Sequence, residues 1–133
     1  MMRTPVREDL ERRVVAAVNE ERRRARLGRL VAEPLLAVAA RAHSDDMAQR
    51  GYFSHHSPEG TTAGDRVAVT GYQFAVVGEN IAWGQRTARE VMTAWMNSRG
   101  HKANILDAGF TRIGVGVAAD RHGSPVWTQV FAA

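Results

Sequence analysis

The chain has 133 residues, 44% apolar and 24% charged, a size and balance ordinary for one globular domain with one core. Cysteine is absent, which excludes disulfide staples, thiolate metal sites and cysteine nucleophiles, and no apolar run approaches the roughly 20 residues that span a bilayer. The net charge of +4 is local: residues 1–30 carry nine arginines against five acids, whereas residues 31–133 balance at nine basic and nine acidic residues.

Met1-Met2-Arg3-Thr4-Pro5 has no apolar segment after it, so no secretory signal is expected within this chain. From about Arg7 to Arg26, Leu10, Val14, Val15, Val18 and Ala25 recur at steps of three and four between charges. That spacing predicts an amphipathic helix, with Gly28 as its stop. Arg22-Arg23-Arg24 with Arg26 and Arg29 would be drawn to an anionic envelope surface. The opposing reading is a solvated face, answered by Glu8, Glu11, Glu20 and Glu21 at helical spacing. No aromatic residue interleaves these arginines, and no nucleic-acid partner is expected.

A second helix should open at Pro34 and run to Arg50, before Gly51, with a stripe of Leu35, Leu36, Ala39, Ala40, His43 and Met47. Residues 51–64 read as an ordered loop, because Tyr52 and Phe53 give it something to bury. A short helix follows over 63–70, then a strand over Tyr72–Trp83. Thr87 caps a helix through about Asn97, with Glu90 completing a capping box. Gly100–Leu106 makes a helical turn, and Phe110–Ala119 and Val126–Ala132 read as strands joined by the polar turn 120–125. Helices on both sides of a small antiparallel sheet is the economical arrangement, an α+β fold in a single domain over residues 1–133.

Polar residues that break these patterns are the functional candidates. Phe53-Ser54-His55, Gly78-Glu79-Asn80 and Gly100-His101 place two imidazoles and a carboxylate in three separate segments, a set suited to a divalent cation or a polar cleft. Glu79 interrupts the apolar run Phe74–Trp83, where a carboxylate must be paired, coordinated or hydrogen-bonded, so it should be poorly exposed. His101, read as lying near a helix C-terminus, has the alternative of serving the helix dipole. His43 falls on an apolar stripe and reads as a satisfied core histidine, and His56 is a neighbouring candidate. A hydrolytic reading would need Glu79 as base and a metal-bound water at His55 and His101. There is no Gly-x-Ser-x-Gly elbow, His-Glu-x-x-His, phosphate loop or dinucleotide fingerprint.

Val18-Asn19-Glu20-Glu21-Arg22, Ala42-His43-Ser44-Asp45-Asp46-Met47-Ala48, Tyr52-Phe53-Ser54-His55, Gly78-Glu79-Asn80-Ile81-Ala82, Trp95-Met96-Asn97-Ser98, Gly100-His101-Lys102-Ala103-Asn104-Ile105-Leu106, Ile113-Gly114-Val115-Gly116-Val117-Ala118 and Trp127-Thr128-Gln129-Val130-Phe131 occur in that order over nearly the whole chain. Together they resemble the CAP superfamily, also called SCP-like domains, and most closely its cysteine-free bacterial branch. The resemblance implies a three-layer α/β/α sandwich, secretion or an extracytoplasmic location, and a cleft of two histidines and two glutamates that in some members binds zinc. Matched by motif, His55, Glu79 and His101 supply three of the four, and Ser98 stands where the family has its second glutamate. The expectation is a non-enzymatic binding domain for a small molecule, lipid or cell-envelope component. A divalent metal, zinc first, is the implied cofactor, and a metal-dependent hydrolase is the alternative.

Overall fold

The computed structural model describes residues 2–133, and its first helix, α1, spans Thr4–Arg24 with Pro5 in the opening turn. Glu11, Val14, Val18 and Arg22 form its buried face. The helix ends before Gly28. Arg26 takes the left-handed conformation (φ 62°), Leu27 N–H donates to Arg22 O at 2.8 Å, and Arg26 N–H donates to Arg23 O at 3.0 Å. Those two bonds satisfy the last carbonyls without help from glycine.

Arg22 corrects the expectation of a surface cluster. It is buried, and its guanidinium donates to the carbonyls of Gly28, Ile105 and Asp107 at 2.7–2.9 Å, tying α1 to the later chain. Burial also lowers its pKa. Arg23 and Arg24 pair with Glu20 and Glu21 on the same helix. The solvated-face reading therefore holds for these two, and Arg22 is unavailable to a partner. Arg22→Met strands three carbonyls and should cost about 2–4 kcal/mol in urea denaturation. Arg22→Lys should recover only part, since one ammonium lacks the guanidinium fork.

The two-residue strand β1 (Val31–Ala32) precedes α2 (Pro34–Arg50), which runs between the expected limits. Glu33 accepts from Leu35 N–H at its start, and Gly51 is left-handed at its end. Then come α3 (Ala63–Val69), β2 (Val77–Trp83), α4 (Ala88–Met96), α5 (Arg99–Ile105), β3 (Arg112–Ala119) and β4 (Pro125–Ala132). Thr87 caps α4, but Glu90 reaches back to Arg86 N–H and not to the cap residue. The strand expected from Tyr72 begins only at Val77. Tyr72 and Phe74 pack beside the α2–β4 core, and the N–H groups of Ala75 and Val76 both donate to Ala133 O.

Strand order is β1-β3-β4-β2, antiparallel except for the short parallel β1–β3 pair, which the sequence pattern did not announce. Alternation along β3 sends Ile113, Val115 and Val117 into the core beneath α1 and α4. Gly114 and Gly116 face α2. A Cβ at Gly116 would lie 2.3 Å from Arg41 N, and one at Gly114 would lie 2.2 Å from Leu36 C. Helix α2 thus sits directly on the sheet, and the three layers are α1/α4, sheet and α2. Among the described residues, no helix is long and apolar enough to cross a membrane.

Candidate functional site

Strand β2 lies at the edge of the sheet, so one side of its backbone has no strand partner. Val76 and Ala133 exchange both hydrogen bonds, and Gly84 N–H donates to Pro125 O. Even-numbered residues of β2 therefore bond to β4, while Glu79, Ile81 and Trp83 turn their peptide groups outward. Two of the outward carbonyls are already taken. Trp95 Nε1–H donates to Ile81 O at 3.1 Å, and Asn104 donates to Glu79 O at 3.3 Å. Against this edge opens a cleft of about 540 Å³ whose walls include Phe53, His55, Ile81, Trp83, Ser98 and His101.

The sequence-matched residues do not share one role. His55 projects from the 51–62 loop, half-exposed, and its Nδ1 lies 2.8 Å from Glu79 Oε1. Glu79 is buried behind it and is not a wall of the cleft. Its second oxygen accepts from Arg66 Nη2 at 2.9 Å. Arg66, from α3, also donates to the carbonyls of Thr61 and His55. His43 is fully buried on α2, donates through Nε2 to Ser54 O at 2.8 Å, and comes within 3.9 Å of Glu79 Oε1. Neighbouring carbonyls of the loop, those of Ser54 and His55, are thus pinned from α2 and α3, and this fixes where His55 stands. His43 does satisfy one ring nitrogen as expected of a core histidine, but its Nδ1 has no partner among the described residues.

His101 lines the same cleft from α5. It occupies the first turn of α5, not a helix C-terminus, so the dipole reading fails. Among the described residues it makes no ion pair or hydrogen bond with Glu79, and its backbone carbonyl accepts from Asn80 at 3.0 Å. Asn80 is buried and joins His101, Gln129 and Asn104, fixing α5 against β2 and β4. Ser98 also lines the cleft. His56 is exposed and is not a wall of it.

Arg66 is the member that sequence reading missed. Its only local signal is a place in a short helix capped by Thr62 and Asp65. Its effect is large, because a guanidinium and an imidazole now occupy both carboxylate oxygens of Glu79. Among the described residues no group of three or more His, Asp or Glu is placed to hold a metal. Of the three residues expected to ligate a metal, Glu79 is hydrogen-bonded to His55 and Arg66, and His55 and His101 line the cleft.

The titration of these histidines follows from their partners. The Glu79 hydrogen bond raises the His55 pKa above the ordinary 6.5. Burial lowers that of His43, and burial followed by the nearby His55 charge lowers that of His101. A raised histidine adds stability that is complete below 6.5 and is lost as pH rises through the folded value. His43 acts oppositely, with stability lost as pH falls below 6.5 toward its depressed value. His55→Gln should therefore lower the urea midpoint most at acidic pH, and the two proteins should converge at alkaline pH.

A three-layer sandwich with a histidine-walled cleft at its β2 edge defines the class, and the family comparison agrees. The chain belongs to the cysteine-rich secretory protein (CAP) family, whose model matches residues 15–131. It is 43% identical over 121 residues to YkwD of Bacillus subtilis (strain 168), covering 91% of this chain and 46% of that protein. An extracellular SCP-domain protein of Bacillus anthracis str. Ames superposes with a TM-score of 0.89 at 34% identity, over 96% of this chain and 41% of that one. An outer surface protein of Borrelia burgdorferi shares the fold at 21% identity, with a TM-score of 0.81, over 90% of this chain and 88% of its own. The chain thus spans less than half the length of the two Bacillus relatives.

Proposed function

We propose that this chain is an extracytoplasmic CAP binding domain whose β2-edge cleft captures a ligand without chemically altering it. One observation carries the reading: both Glu79 oxygens are engaged, by His55 and Arg66, so no free carboxylate faces the cleft to act as base. The cluster orients an imidazole for recognition. The hydrolytic alternative would need Glu79 released from His55 and Arg66 to serve as its base. The Bacillus anthracis relative, an extracellular protein, supports the location.

The test is binding by the purified domain to cell-envelope fractions and small-molecule pools, compared with His55→Ala and His101→Ala. Both variants should stay folded and lose most of the binding, and added zinc should leave wild-type binding unchanged. Turnover of ester or peptide panels that vanishes in Glu79→Gln would overturn the non-enzymatic reading.

A further inference from the structure

Beyond the imidazoles, the cleft has an aromatic boundary. Trp83 and Phe53 are 57% and 52% exposed and stand side by side on the cleft wall, whereas Trp95 and Trp127 are 1% and 0% exposed. Trp83 is nevertheless held: its Nε1–H donates to Asp120 Oδ2 at 3.0 Å, and Asp120 is itself anchored by the N–H groups of His122 and Ser124. A second cavity of about 590 Å³ lies beyond these two rings, bounded by both of them together with Arg50, Tyr52, Arg121 and His122. Phe53 and Trp83 line both cavities, so they form a ridge between two hollows, each within the size range of small-molecule sites.

The polar groups around the ridge select among ligands. The Ile81 N–H on the cleft side points outward with no partner among the described residues, while its C=O is consumed by Trp95. An added peptide strand needs alternating donors and acceptors from the edge it joins, and here the acceptor is spent. Gln85, also a wall of the cleft, carries a buried side-chain oxygen with no partner among the described residues. Donors and an acceptor are thus scattered beside flat aromatic faces. That combination suits a ring bearing C–H faces and several hydroxyl or acetamido groups. A lipid tail would leave these polar groups unpaired, at a cost.

We infer that the ridge of Phe53 and Trp83 is a binding platform for an extended glycan chain, one stretch entering the His55–His101 cleft and the next occupying the cavity beside Arg121. This rests on the cleft being a binding site, and it adds the ligand class and a second subsite. Trp83 is the one exposed tryptophan of the three, so its fluorescence reports on the ridge itself.

The experiment titrates the protein with soluble hexasaccharides of N-acetylglucosamine, glucose and galacturonic acid, and with the corresponding disaccharides, following tryptophan emission and its quenching by iodide. At least one hexasaccharide should change the emission and shield Trp83 from iodide, binding more than about tenfold tighter than its disaccharide because it reaches both hollows. Trp83→Ala should weaken that hexasaccharide by about tenfold or more without changing the melting midpoint, and Trp83→Phe should restore part of the loss. If His55→Ala abolishes binding and Trp83→Ala does not, the platform is wrong while the cleft reading stands. If Trp83→Ala abolishes it and both histidine variants bind normally, the two-hollow path is wrong and the cleft reading falls with it. Shielding by phosphatidylglycerol vesicles and by none of the glycans would overturn the inference in favour of a lipid surface.

Discussion

Gly116→Ala should cost about 3 kcal/mol, because overpacking at a fixed backbone contact has no soft direction in which to relax. The added Cβ would lie 2.3–2.5 Å from backbone atoms of Ala40 and Arg41, so helix α2 itself must lift from the sheet. A domain stabilised by roughly 5–15 kcal/mol in total loses much of its margin in that one step. Because α2 also carries His43, the loop presenting His55 should loosen as well. Gly100→Ala is the matched control: a Cβ there meets nothing within 4 Å and lies in α5, so stability should be unchanged or slightly higher. Urea denaturation of the pair checks the claim, and equal midpoints would contradict the packing described for α2.

The second large effect is expected at Glu79. Glu79→Ala leaves the Arg66 guanidinium largely buried with no carboxylate to meet it, and removing one member of a buried pair typically costs about 3–5 kcal/mol. His55 loses its orienting partner in the same substitution. Replacing both charges, as Glu79→Leu with Arg66→Met, should restore much of the stability, since the uncompensated cation is gone. It should not restore binding, because His55 remains unheld. Glu79→Ala folding as well as wild type would show that the pair is only peripheral. Recovery of ligand binding in the double variant would show that the imidazole needs no support.

How legible all this was in the sequence varied with the kind of signal. Helix α2 was readable to its ends because Pro34 and Gly51 are punctuation with a backbone reason behind them. Helix α1 stopped earlier than Gly28 implied because Arg26 adopted a conformation that glycine usually supplies. Strand β1 has two residues and exists only because β3 lies beside it, so no local pattern could announce it. In the site, Glu79 was conspicuous as an acid inside an apolar run. The identity of its partners depended on which cation the fold would bring near. Arg66 looked like any helical arginine, yet it binds Glu79 and the carbonyls of the loop before it; Arg22 looked like part of a surface cluster, yet it is buried against carbonyls from a distant segment. His55 and His101 stood out both by their local context and by family motif, but neither signal could say that Glu79 would bond to one of them and not to the other.

Recognition at the cleft depends on Glu79 holding His55, and titration of the His55 imidazole by NMR in wild type and in Glu79→Gln tests this. The wild-type midpoint should lie above 6.5 and fall toward 6.5 in the variant, with His101 below 6.5 in wild type. A His55 midpoint that does not respond to Glu79→Gln would contradict it.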